Sequence, residues 1–126
     1  MLGVWNTPKL RGVLAMQRLR ITFSRHGAVC YLSHLEMMRM WERACRRAGW
    51  RLSYSHGYNP HPKISFAAPL PVGVAGDVEL LDLYLDEQRD PQQACGELAR
   101  QMPKGMYVRS VEEVPVESAA LQKVMQ

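Results

Sequence analysis

The chain has 126 residues, 47% apolar and 22% charged, with a net charge of +4, which suits one globular domain with one core. No run of about 18 apolar residues reads as a membrane span, and the N-terminal stretch lacks the charged start and long apolar core of a secretory signal. Three widely separated cysteines, Cys30, Cys45 and Cys95, point to a reducing, cytoplasmic setting and exclude a disulfide framework or an iron–sulfur or zinc site made by this chain alone.

Residues 1–15 show no sustained period and contain Gly3, Pro8 and Gly12, so they read as a disordered lead before a domain at 16–117. Arg18, Arg20, Thr22 and Ser24 then alternate with Leu19, Ile21 and Phe23, the period-two pattern of a strand with one buried and one basic face. Ser33-His34-Leu35-Glu36 has the form of a capping box, and an apolar face of Leu35, Met38, Trp41, Cys45 and Ala48 follows at helical spacing up to a C-terminal Gly49. On the same helix Arg39, Arg43, Arg46 and Arg47 read as a solvated face, laced by Glu42 and Arg46 at i,i+4.

Trp50 to Ser55 reads as a second strand, and Ile64 to Ala67 as a short third. Pro69, Pro71, Gly73 and Gly76 mark an irregular connection. Val78 to Asp86 is a strand whose apolar positions are Val78, Leu80, Leu83 and Leu85, with Leu81 between. Asp90-Pro91 fits an N-cap with proline at N1, opening a helix over 92–101 that turns Cys95, Leu98 and Met102 inward. Met106, Val108 and Val111 begin a last strand running to about Pro115. Residues 118–126, with Leu121, Val124 and Met125, read as a tail, the start of a further element. The order of elements is that of an α+β ferredoxin-like sandwich, an antiparallel sheet with two helices on one face.

Charge is divided unevenly along this order. From Arg18 to Lys63 nine Lys/Arg face two Glu, whereas from Ile64 onward five Lys/Arg face ten Asp/Glu. A basic half of this kind suits a polyanion or an acidic protein partner.

The chemistry concentrates between Ser55 and Phe66. Pro60 and Pro62 fix φ, remove two backbone donors and hold Asn59 and His61 extended, while Gly57 and Asn59 tolerate tight turns. A stiff backbone thus carries two imidazoles, a phenol, an amide and an ammonium. Exposed aromatic rings stack on bases and cations neutralise phosphates, so Arg18, Arg20, His56, Tyr58, Asn59, His61 and Lys63 form a candidate substrate-binding set for RNA. His34, His56 and His61 are candidate catalytic groups, since imidazole titrates near neutrality. No nucleophile or acid partner is fixed beside them. Their spacing matches no zinc pattern, so neither metal nor cofactor is expected.

Four segments also resemble a known family: Arg18-Leu19-Arg20-Ile21-Thr22-Phe23-Ser24, Tyr31-Leu32-Ser33-His34-Leu35-Glu36, the run Tyr54-Ser55-His56-Gly57-Tyr58-Asn59-Pro60-His61-Pro62-Lys63-Ile64-Ser65-Phe66, and Pro69-Leu70-Pro71-Val72-Gly73-Val74. Together they are similar to the radical-SAM-linked proteins, a bacterial family of uncharacterised function, fused to or encoded beside B12-binding-type radical SAM proteins. The resemblance implies a radical SAM protein as partner, an RNA context such as tRNA or rRNA, and a second half that would follow the tail. The chain lacks the three clustered cysteines needed to hold the cluster, so it is not that enzyme itself. The expectation is an accessory binding domain, non-catalytic on its own, that presents RNA through the Pro/His loop. The alternatives are an RNA-processing or RNA-modifying enzyme using the loop histidines, and a pure protein-interaction module.

Overall fold

The computed structural model describes residues 16–66 and 76–116. The lead over 1–15, the connection through Pro69, Pro71 and Gly73, and the tail from 118 with Leu121, Val124 and Met125 lie outside the described residues. Four strands, β1 (Gln17–Arg25), β2 (Ile64–Phe66), β3 (Gly76–Leu85) and β4 (Met106–Val114), form one sheet in the order β2-β3-β1-β4, with every neighbouring pair antiparallel. Two helices, α1 (His34–Arg47) and α2 (Pro91–Arg100), connect them. This is the ferredoxin-like sandwich expected from the order of elements.

The core lies between the helices and one face of the sheet. Leu19, Ile21 and Phe23 of β1 stand beside Leu81, Leu83 and Leu85 of β3, all fully buried, in the register Leu19↔Leu83 and Ile21↔Leu81. From the helices, Met37, Met40, Trp41, Ala44, Cys45, Ala94 and Leu98 close over them in a single cluster. Trp41 is fully buried, edge-on to Phe23 at 5.1 Å, and its indole nitrogen has no hydrogen-bond partner among the described residues.

Both helix ends follow their local chemistry. Ser33 Oγ accepts from the Glu36 N–H at 3.1 Å, and Glu36 Oε1 accepts from the Ser33 N–H at 2.8 Å, completing the capping box. At the other end Gly49, at φ +81, allows its own N–H to reach Arg46 O and the Trp50 N–H to reach Cys45 O, the paired bonds of a Schellman motif. Asp90 caps α2 by accepting from the Gln93 N–H, with Pro91 at N1.

Four expectations are corrected. On α2 the buried residues are Ala94 and Leu98, and Cys95, expected inward, is only partly buried. The buried stripe of α1 is rotated: Met37, Met40 and Ala44 join Trp41 and Cys45, whereas Leu35 is 55% exposed. Apolar residues on α1 span more than one stripe, and only contact with the sheet selects among them. On β3 the inward residues are Leu81, Leu83 and Leu85, while Val78 is exposed and Leu80 falls on the opposite face. Trp50 to Ser55 is not a separate strand but touches the sheet by one isolated bridge, Leu52↔Leu85. The uneven spacing of Val108 and Val111 on β4 also has a physical cause. The register shifts between Thr22↔Ser110 and Phe23↔Val108, leaving Arg109 as the extra residue of a bulge.

The sheet face away from the helices holds a buried charge centre. Asp82 lies opposite Arg20 and is shared: Arg18 Nε reaches Oδ2 at 2.6 Å, and Arg20 Nε reaches Oδ1 at 3.0 Å. Arg18 and Asp82 are fully buried, and the Arg18 guanidinium also lies 5.2 Å from the Tyr84 ring centroid. Asp82→Ala, which removes the buried carboxylate that two arginines share, is expected to lower unfolding stability by about 3–5 kcal/mol in urea titration. Arg18→Met with Asp82→Leu, which removes the buried guanidinium too but leaves Arg20 without the shared carboxylate, is expected to recover part of that loss.

Candidate functional site

The loop singled out in the sequence begins as a gap in an edge strand. Leu52 stands opposite Leu85, and Ile64, Ser65 and Phe66 stand opposite Leu83, Asp82 and Leu81. The residue between, Tyr84, binds both ends of the gap: its carbonyl accepts the Ser53 N–H at 2.7 Å and its N–H donates to Lys63 O at 3.1 Å. Residues 51–53 and 64–66 thus complete one edge of β3, and Tyr54–Lys63 is an excursion from it.

The excursion is zipped before it opens. The Lys63 N–H donates to Ser53 O at 2.8 Å, Tyr54 bridges Pro62, and the Ser55 N–H donates to His61 O at 2.8 Å. Ser55 Oγ accepts from the His61 N–H at 3.0 Å. The two prolines occupy places where no ladder donor is needed. Ser53 is pinned from the side by its hydroxyl bond to Asp86, and the Arg51 N–H donates to Glu87. Gly57, at φ +128, turns the tip, a conformation side chains rarely adopt.

Tyr54 fastens this ribbon to α1. Its hydroxyl donates to Glu42 Oε2 at 2.7 Å, and Glu42 also receives Arg46 at 3.2 Å. Partial burial, then the bond to Glu42, raises the phenol's pKa above its usual value, with Arg46 opposing.

Beyond the zipped stem the tip is open to solvent. Tyr58 is 99% exposed, and His56, Asn59 and His61 are exposed too. Lys63 is half-buried at the stem and lines a shallow hollow with Ile64, Ser65 and Tyr84. The structure therefore brings His56, Tyr58, Asn59 and His61 together at one tip, with Lys63 at its base. His34 is elsewhere: it opens α1 and packs edge-on to Phe66 at 5.2 Å. Among the described residues no three His, Cys, Asp or Glu side chains are placed to hold a metal ion. Arg18 is enclosed with Asp82, and the Arg20 side chain is 17% exposed, its pKa raised chiefly by its hydrogen bond to Asp82. The basic face read from the alternation is thus largely neutralised. Burial pushes the Cys45 thiol up to about 12, which leaves it protonated and no nucleophile.

Sequence reasoning passed over the residues that hold the site. Ser53 and Tyr84 act through their backbone groups, and Glu42, expected to pair with Arg46, also takes the Tyr54 hydroxyl, a contact the sequence does not show. Asp82 falls within the strand expected over Val78–Asp86, but its arginine partners lie on another strand and leave no local mark.

The family model described as "Uncharacterized protein conserved in bacteria (DUF2344)" matches residues 18–126, and the chain belongs to that family. No curated protein matches it. No helix among the described residues is long and apolar enough to cross a membrane.

The anchor can be read by alkaline titration. A raised phenol pKa means that the contribution of the Tyr54–Glu42 contact is full below the ordinary phenol range, near pH 10, and is lost as pH rises through the higher folded value. Phenolate absorbance of wild type is expected to show a late component that Tyr54→Phe removes. That variant is also expected to be cleaved faster in the loop by a low dose of protease.

Proposed function

We propose, with membership of this bacterial family as the premise, that the chain is a binding domain, non-catalytic on its own, which holds RNA on the loop tip. By the resemblance of its segments, the protein it serves is a radical SAM enzyme, to which it presents the RNA. One observation carries the RNA reading: a fully exposed tyrosine, flanked by two imidazoles and an amide, stands on a stem hydrogen-bonded to the sheet on one side and to α1 on the other. An aromatic ring kept in water has no packing role, and a base can stack on it. A stem already ordered lowers the entropy lost on binding. Lys63 at the base supplies a cation for phosphate.

A catalytic reading draws less from the geometry. His56 and His61 have no described nucleophile or carboxylate partner, and His34 is engaged with Phe66.

Binding of single-stranded RNA to the wild type is expected to weaken steeply with salt, because phosphate neutralisation releases counterions. Tyr58→Ala is expected to cost about 1–3 kcal/mol of affinity at fixed salt, the contribution of one stacked base. Lys63→Ala is expected to reduce the salt slope by about one, without changing sequence preference. Melting curves of both variants should overlay the wild type. Undiminished RNA binding by both would remove the loop from the mechanism.

A further inference from the structure

A second surface lies on the other flank of α1, away from Tyr54. Two adjoining hollows share Met40, Arg43 and Pro103 and form one groove between α1 and the segment that follows α2. Arg39, Arg43 and Arg47 stand along one wall, and Arg100 and Lys104 along the other.

These cations differ from most of the arginines elsewhere. Arg18 and Arg20 share Asp82, Arg25 holds Glu79, Arg46 holds Glu42, and Arg89 holds Glu87 and Glu97. Arg43, Arg47, Arg100 and Lys104 have no carboxylate partner among the described residues. The one acid lining the groove among the described residues, Glu36, already accepts from Ser33, and those bonds chiefly, with Arg39 adding a little, hold its pKa below the usual carboxylate value. Arg47 and Arg100 sit in last helical turns, where the helix dipole favours cations. That does not account for Arg39 and Arg43 in the body of α1. They recur every four residues, about 6 Å apart along the axis, with Arg47 next in the row.

The floor between the cations is apolar. Val29, Leu32, Met40, Met102 and Pro103 line it, and no aromatic side chain among the described residues does. A nucleic acid would use the cations but would find no ring to stack on and would leave the floor unused. An acidic amphipathic segment of a protein would use both, placing apolar side chains on the floor and carboxylates against the rim. Thioether side chains such as Met40 and Met102 adapt readily to such anchors.

We infer that the groove between α1 and residues 100–104 docks an acidic amphipathic helix of a partner protein. This surface is separate from the loop, so it stands or falls independently of RNA binding there.

The test is fluorescence anisotropy on the full chain with three labelled probes. One is an acidic peptide with leucines at helical spacing on one face and glutamates on the flanks. The others are the same residues in scrambled order, and oligo(U) of equal formal charge. The ordered peptide is expected to bind wild type about tenfold or more tighter than the scrambled one. The double variant Arg43→Glu, Arg47→Glu is expected to weaken it about tenfold or more, since like charges then meet. Tyr58→Ala should leave it unchanged. Both arginines are exposed, so the variant should melt like wild type, and Arg43→Ala with Arg47→Ala gives a milder version of the same test. Absence of binding, equal binding of ordered and scrambled peptides, or binding indifferent to the arginines would overturn the inference. Tighter binding of oligo(U), lost with the same arginines, would overturn it in favour of a phosphate site.

Discussion

The backbone of one residue, Tyr84, holds both ends of the excursion on which the functional reading rests. Its carbonyl takes the Ser53 N–H and its N–H gives to Lys63 O, so the chain leaves the sheet and returns to it at a single point on the edge of β3. An edge strand normally presents a row of unpaired groups. Here the edge is filled from both sides of the gap, and the intervening residues pair with one another rather than with the sheet. The loop is therefore an extension of the sheet edge, with order supplied at its base. Tyr54 and Glu42 add a second support from α1, which sets the direction of the ribbon as well as its footing.

Charge is handled in opposite ways on different faces. Behind the sheet, two arginines share one fully buried carboxylate, an arrangement that fixes the register of β1 on β3 and makes Asp82 costly to lose. Around α1, Arg46 on the loop side is tied to Glu42, whereas Arg43 and Arg47, which line the groove with residues 100–103, have no carboxylate partner among the described residues. The proposed RNA-binding tip lies on one flank of α1 and the proposed docking groove on the other. That matches an accessory role better than a self-contained reaction centre.

Local chemistry was the legible part of the sequence. The capping box at Ser33, the glycine stop at Gly49 and the Asp90-Pro91 start each depend on residues within a few positions, and all three form as their residue types require. The period-two alternation of β1 likewise identified the residues that face the core, Leu19, Ile21 and Phe23, though not the burial of Arg18 and Ser24 on its other face, and the order of elements identified the fold. What the sequence hid were relations between distant segments. Trp50 to Ser55 has strand-like alternation, but whether it makes a strand depends on where the edge of β3 is vacant. The stripe of α1 depends on which of several methionines meets the sheet. Arg18 and Arg20 look like a basic surface until Asp82, some sixty residues away, is placed between them. The Pro/His loop was found because its residues are unusual, and its clamp was missed because serine and tyrosine backbone groups leave no mark in a sequence.

Amide hydrogen exchange on the native protein, with and without single-stranded RNA, tests most directly whether this loop is a pre-ordered platform. Without RNA, the amides of Ser53, Ser55, His61, Lys63 and Tyr84 should be protected like those of the sheet, and those of His56 to Asn59 should exchange fast. RNA should then slow exchange at the tip alone. Stem amides that exchange as fast as the tip until RNA is added, or a tip that RNA leaves untouched, would contradict the account.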